Sequence, residues 1–257
     1  MKRALVLLTA SAVALPALAQ DTSGDWDISR DPAKRMVLAY TTFDNGLSVG
    51  FRCIDGSFNA VIAGLPPSRD ERRTLDLAFR DDEAHPTMWT STTDSSVVVS
   101  DFPAPLAREF RQGGALKLTV PRGAADGRNL RYDVELPTSS AAVDEALTAC
   151  GRPLVDPRDA ELEAIGETGL TGELVWDRAP RPRYPSSRYA SGFVVTTCMT
   201  TPQGALRDCV VEMEHPHDGR FGRAALEGAE HARVRNPNEG QPVPVVRMSF
   251  RTIFRMR

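Results

Sequence analysis

The chain has 257 residues, with 31 Lys+Arg against 34 Asp+Glu and a formal net charge of −3, long enough for one large domain or two small ones. The charge is unevenly placed: residues 20–173 hold 16 Lys+Arg and 26 Asp+Glu, a net of −10, while residues 174–257 hold 13 and 8, a net of +5. Either the C-terminal part meets an acidic partner or the two halves attract each other. With no Lys/Arg cluster interleaved with aromatics, the composition argues against nucleic-acid binding.

In chain order, Lys2-Arg3 is followed by an uncharged apolar run from Ala4 to Leu15 and then Ala17-Leu18-Ala19, small residues where a signal peptidase reads. This pattern predicts a secretory signal over residues 1–19, cut after Ala19, because an uncleaved anchor needs about 20 apolar residues. No later segment is apolar enough to span a bilayer and no lipobox cysteine follows, so the expectation is a periplasmic protein without a stable membrane anchor. In an exported chain Cys53, Cys150, Cys198 and Cys209 read as disulfides. Three connectivities are possible. Cys198 and Cys209 flank Thr201-Pro202-Gln203-Gly204, a turn that sets them nearly opposite each other, which leaves Cys53 for Cys150.

Residues 20–150 read as a β-rich domain. Met36 to Tyr40 and Leu47 to Cys53 flank Asp44-Asn45-Gly46, a strong hairpin signal, and alternation along the second run turns Cys53 inward. Phe58 to Ala63, Leu75 to Phe79, Met88 to Thr92, Val97 to Val99, Leu116 to Val120 and Leu130 to Leu136 are further strands. Pro105 to Gln112 predicts one helix, stopped by Gly113-Gly114, and Ser139 or Ser140 caps another running to Cys150. The expected architecture is a sandwich or roll with packed helices.

Residues 151–179 read as a linker, with a short helix from Asp156-Pro157 to Gly166, loosening at Gly169 and Gly172, and stiffening at Pro180 and Pro182. Residues 180–257 predict a hairpin (Phe193 to Met199 and Leu206 to Met213) and a helix from Gly219 to about Arg233, N-capped by Asp218. A last strand from Val243 to Phe254 follows, making the order β-β-α-β. The fold class is α+β.

This final module resembles the C-terminal domain of TonB. The matching positions are Tyr184-Pro185, Gly192, Gly204, Cys209-Val210-Val211, Phe221 with Ala224-Ala225, Arg233, Pro237 and Pro242-Val243. The resemblance covers roughly residues 180–255 and implies a module that binds an outer-membrane protein segment. Two departures stand out. Ala232-Arg233-Val234 replaces the family's aromatic-Arg-aromatic group, and the transducer's membrane helix and long Pro-rich spacer have no counterpart. The resemblance therefore implies a binding module detached from energy transduction.

No serine-nucleophile elbow, metalloprotease helix motif or phosphate loop occurs, and no cofactor is implied. His215-Pro216-His217-Asp218 near Cys209 is the one metal-like cluster, better read as a polar loop beside a disulfide. The expected function is non-enzymatic binding of an envelope or outer-membrane protein segment. The segment adds to the edge of the last strand at Arg251, Thr252, Phe254 and Arg255, the arginines selecting acidic sequence. The rival expectations are an enzyme with its site in the first half, or a structural unit that forms a homodimer.

Overall fold

The computed structural model describes residues 25–163, 165, 174–238 and 240–256. The expected signal segment, and Gly166, Gly169 and Gly172 of the connector, lie outside the described residues. The fold is α+β.

In the first half the strands are β1 (Asp27–Asp31), β2 (Met36–Thr42), β3 (Ser48–Ile54), β4 (Ser57–Ala63), β5 (Arg72–Phe79), β6 (His85–Ser91), β7 (Val98–Ser100), β8 (Gly114–Val120) and β9 (Leu130–Leu136). They form one antiparallel sheet in the order β1-β2-β3-β4-β7-β6-β5-β8-β9. The sheet curls on itself: Tyr132 of β9 donates its hydroxyl to the Gly64 carbonyl just past β4, at 3.3 Å. Inside the curl lie α1 (Pro103–Phe110) and α2 (Ala141–Ala149). Phe110 and Leu147 share one core with Phe51, Leu75, Trp89 and Leu118, all essentially inaccessible to solvent. Helix α1 starts before Pro105 because Pro103 occupies its first turn, where a missing N–H costs nothing. β1 was not expected from sequence.

Cys53 and Cys150 are bridged, with Cα atoms 5.5 Å apart, so the end of α2 is pinned to β3. The connector contains α3 (Asp159–Glu163) and β10 (Val175–Arg178).

The second half holds β11 (Ser191–Thr200), β12 (Leu206–His215), α4 (Phe221–Ala229), β13 (Arg233–Arg235) and β14 (Arg247–Arg255). β11 is central in a three-stranded sheet of order β12-β11-β14, and Cys198–Cys209 closes its hairpin. Three expectations are corrected here. Helix α4 stops at Ala229 because Arg233–Arg235 pairs instead with β10, burying Val234 against Leu174, Val243 and Met248. Gly204 makes this possible, with a φ of 78° and the Val234 carbonyl oxygen 2.0 Å from where a Cβ would stand. Nor is Asp218 the cap of α4: the Phe221 amide donates to Glu214 Oε1 at 2.8 Å, and Asp218 pairs with Arg188. β14 begins later than Val243 because Pro242 and Pro244 bracket that residue and cannot donate to a ladder.

One face of the three-stranded sheet packs on α4, through Val194, Phe221 and Phe254. The opposite face packs on the large sheet, where Phe193, Val195 and Met213 meet Val99, Val61 and Phe102.

Replacing Cys53 and Cys150 together by Ala should lower the unfolding free energy by about 2–5 kcal/mol, since the bridge closes a long loop. Urea unfolding followed by circular dichroism reads this. An unchanged midpoint would mean that the bridge does not constrain the chain.

Candidate functional site

β14 is an edge strand, and its register decides what its edge offers. It pairs with β11 without a register shift, from Ser191 opposite Arg255 to Met199 opposite Arg247. The flanking bonds Met256 N to Ala190 O (2.8 Å) and Thr200 N to Val246 O (3.0 Å) fix the phase. Even-numbered residues of β14 exchange hydrogen bonds with β11, and Ser249, Arg251, Ile253 and Arg255 direct their N–H and C=O groups outward. No described strand pairs with that side.

Beside this edge runs the segment from Trp176 to Tyr184, held at both ends by aromatic contacts. Trp176 meets Phe250 edge-on at 5.5 Å, and Tyr184 meets Phe254 at 6.3 Å. Pro180 and Pro182 lie between these contacts and have no N–H to give the strand. A groove of about 730 Å³ lies between this segment and residues 250–256.

The four residues assigned to the site from sequence are not equivalent. Thr252 and Phe254 face α4 and are buried, at 9% and 3% exposure. Arg255 is exposed and pairs with Glu71 at 3.3 Å. Arg251 turns under the sheet into the contact between the halves. Its Nη1 donates to Thr90 Oγ1 at 2.6 Å and to Asp101 Oδ1 at 3.0 Å, and its guanidinium lies 3.5 Å from the centre of the Phe193 ring. Arg72 holds the other Asp101 oxygen at 3.0 Å. Burial pushes the Asp101 carboxyl up while Arg251 and Arg72 pull it down, and burial lowers Arg251 itself. Sequence reasoning missed Arg72, Thr90 and Asp101. The signal that pointed to them was the opposite charge of the two halves, and Arg247 with Glu161 (2.8 Å) adds a further pair across that divide.

A second ionic cluster ties the connector to β12. Arg158 bonds Asp156 at 2.8 Å and Glu212 at 2.9 Å, and Glu212, 2% exposed, also accepts from Thr197 Oγ1 at 2.6 Å. Arg108 of α1 binds both oxygens of Asp159 at 2.6 Å and donates to the Pro153 carbonyl at 3.1 Å. The Arg158 hydrogen bond holds the Asp156 carboxyl below the usual range.

Behind β14 a cleft of about 500 Å³ opens between the halves, bordered by β6, α1, the connector and β14. The histidine cluster has a structural setting: His215 packs on Phe193 at 5.6 Å, burial lowers its pKa, and Cys209 is bridged. Among the described residues no group of three His, Cys, Asp or Glu could hold a metal, and no helix is long and apolar enough to cross a membrane.

No family model matches the chain, and no curated protein matches it. Among solved structures it is similar to one titled "Solution NMR structure of Pseudomonas aeruginosa TonB CTD", with 20% identity and a TM-score of 0.27. The match covers 34% of this chain and 87% of that one. A likeness of that strength does not establish a shared fold or function.

Arg251→Ala should cost about 2–3 kcal/mol of stability, because the buried Asp101 carboxylate loses one of its two guanidinium partners and keeps only Arg72, while Arg255→Ala should cost at most about 1 kcal/mol. Denaturant unfolding of both variants checks this, and equal effects would contradict the burial argument. Acidification provides a second test. Asp156, with its pKa depressed in the fold, contributes stability that is fully present above its ordinary value of 3.8 and lost as the pH falls through the lower folded value. Asp156→Asn should therefore be less stable at neutral pH and show a flatter loss of thermal stability below about pH 4. Parallel melting curves for the two proteins would remove Asp156 from the acid response.

Proposed function

We propose that the protein is a non-enzymatic binder of an envelope protein segment, which adds as an extended strand along the outer edge of β14. The observation that carries this reading is the row of outward N–H and C=O groups at Ser249, Arg251, Ile253 and Arg255, facing a groove rather than another strand. Unpaired strand edges are templates for chain addition, and backbone hydrogen bonds supply the affinity. Pro180 and Pro182 support it, since they border the groove without being able to occupy the edge.

Selection among partners falls to the side chains that remain accessible. Ile253 is half exposed, Met256 is 59% exposed, and Arg255 stands in solvent. They fit a segment with an apolar residue opposite Ile253 and a carboxylate near Arg255. Arg251 acts in holding the halves together and offers only its backbone to the partner. The two disulfides and the signal pattern at residues 1–19 support a periplasmic location, because disulfides persist in oxidising compartments.

The exposed Ile253 and Met256 also favour a second reading, edge-to-edge pairing of two copies. A two-fold axis through Ile253 would set Arg251 opposite Arg255, and like charges directly opposite each other destabilise a pair of strands. The heterologous acidic segment is therefore preferred.

Proline at Ile253 removes an outward donor and leaves the bonds to β11 in place, whereas proline at Thr252 would break the sheet itself. In-cell photo-crosslinking from the β14 edge, with adducts identified by mass spectrometry, should capture a defined envelope protein. Ile253→Pro should weaken capture by about tenfold or more, and Arg255→Glu by about fivefold at most, in a salt-dependent way. Undiminished capture by both folded variants would put the binding surface elsewhere. A dimer in sedimentation that Ile253→Pro dissociates would favour the second reading.

A further inference from the structure

We propose that the cleft between the two halves is a binding site for a small amphiphilic anion, an apolar body bearing one carboxylate that docks on Arg251 and Arg72. The cleft shares Phe250 and Arg251 with the groove beside β14, and titration with a small ligand reads it separately from strand capture.

The cleft, about 500 Å³, lies within the range of small-molecule sites. Its walls are largely apolar: Met88 and Trp89 from β6, Leu106 from α1, Leu162 and Ile165 from the connector, and Phe250 from β14. Its polar end is built from Arg72, Asp101 and Arg251. Asp101 spends one oxygen on each guanidinium, so this end retains one positive charge in excess. Glu109 and His85 also border the cleft, and Glu109 has a partner of its own.

The specific sign of a ligand is the hydrogen bonding of Arg251. Its side chain is only 10% exposed, and its Nε and Nη2 atoms are buried without a hydrogen-bond acceptor among the described residues. Buried donors of this kind are rare in native proteins. These two nitrogens form one edge of the guanidinium fork, which a carboxylate takes with two parallel hydrogen bonds. The same edge binds carboxylates elsewhere in this protein, in Arg30 with Glu145 and Arg108 with Asp159. Glu71 Oε1 is 4.0 Å from Arg251 Nη2, beyond hydrogen-bond reach, and its other oxygen serves Arg255.

Isothermal titration of the full disulfide-bonded chain with dodecanoate below its micellar concentration tests the proposal. Expected is saturable one-to-one binding, with dodecanol and dodecyltrimethylammonium each weaker by about tenfold or more. Arg72→Gln, which leaves the Arg251–Asp101 pair intact, should weaken dodecanoate by about tenfold and leave dodecanol unchanged. Met88→Trp fills the cleft and should abolish binding of all three. Melting curves confirm that both variants are folded. No saturable binding of dodecanoate, equal binding of the cationic probe, or full binding by folded Met88→Trp would each overturn the assignment.

Discussion

Arg251 sits where a three-stranded sheet meets a nine-stranded one, and its guanidinium must be neutralised for the two to stay together. Asp101 does this from the far side of the contact, with Thr90 and the face of Phe193 completing the surroundings. Burying such a pair contributes little net free energy, because desolvation cancels much of the attraction. What it fixes is orientation. With Arg251 committed to Asp101, the Phe193 and Val195 face of the small sheet can only lie toward β7, and Met213 closes over Val99. The connector cluster around Arg158 and Glu212 holds the same alignment from β12.

That commitment determines what is left for partners. One face of the small sheet is closed by α4 and the other by the large sheet, and β11 is paired on both sides. β12 is held by the connector and by the Arg152 guanidinium on the Val211 carbonyl at 2.9 Å. β14 keeps its row of outward backbone groups free of any described strand, and they face a groove. The binding role proposed for β14 rests on that row of groups and on the groove beside it.

Local signals in the sequence carried much of the architecture. The Asp44-Asn45-Gly46 turn defined the β2–β3 hairpin, and alternation along residues 248–254 separated Met248 and Phe254 from the arginines. The cysteine pairing was legible because a turn stood between Cys198 and Cys209. β1, β10 and β13 were not: each is short, and β13 exists only because Val234 finds a buried place beside Leu174, which outweighs the helical continuation past Ala229. The site was legible as a strand but not as a set of roles. Alternation shows that Arg251 and Arg255 share a face, but it cannot show that the large sheet covers the first and leaves the second in water.

The difference between these two arginines bears on how the halves and a partner compete for charge. The net charges of opposite sign along the chain suit either an internal attraction or an external acidic ligand. The structure divides the arginines of β14 between the two. Arg251 answers an internal carboxylate at low exposure, where the interaction is weakly screened, and Arg255 answers Glu71 in water, where salt screens it readily. An incoming carboxylate can displace Glu71 from Arg255 at little cost, since exposed pairs are worth about 0–1 kcal/mol. Displacing Asp101 from Arg251 would break a buried ion pair and leave Asp101 with Arg72 alone. The partner proposed above would therefore exchange ion pairs at the end of β14 and take the rest of its affinity from the backbone, with sequence selection at the residues around Ile253 and Arg255.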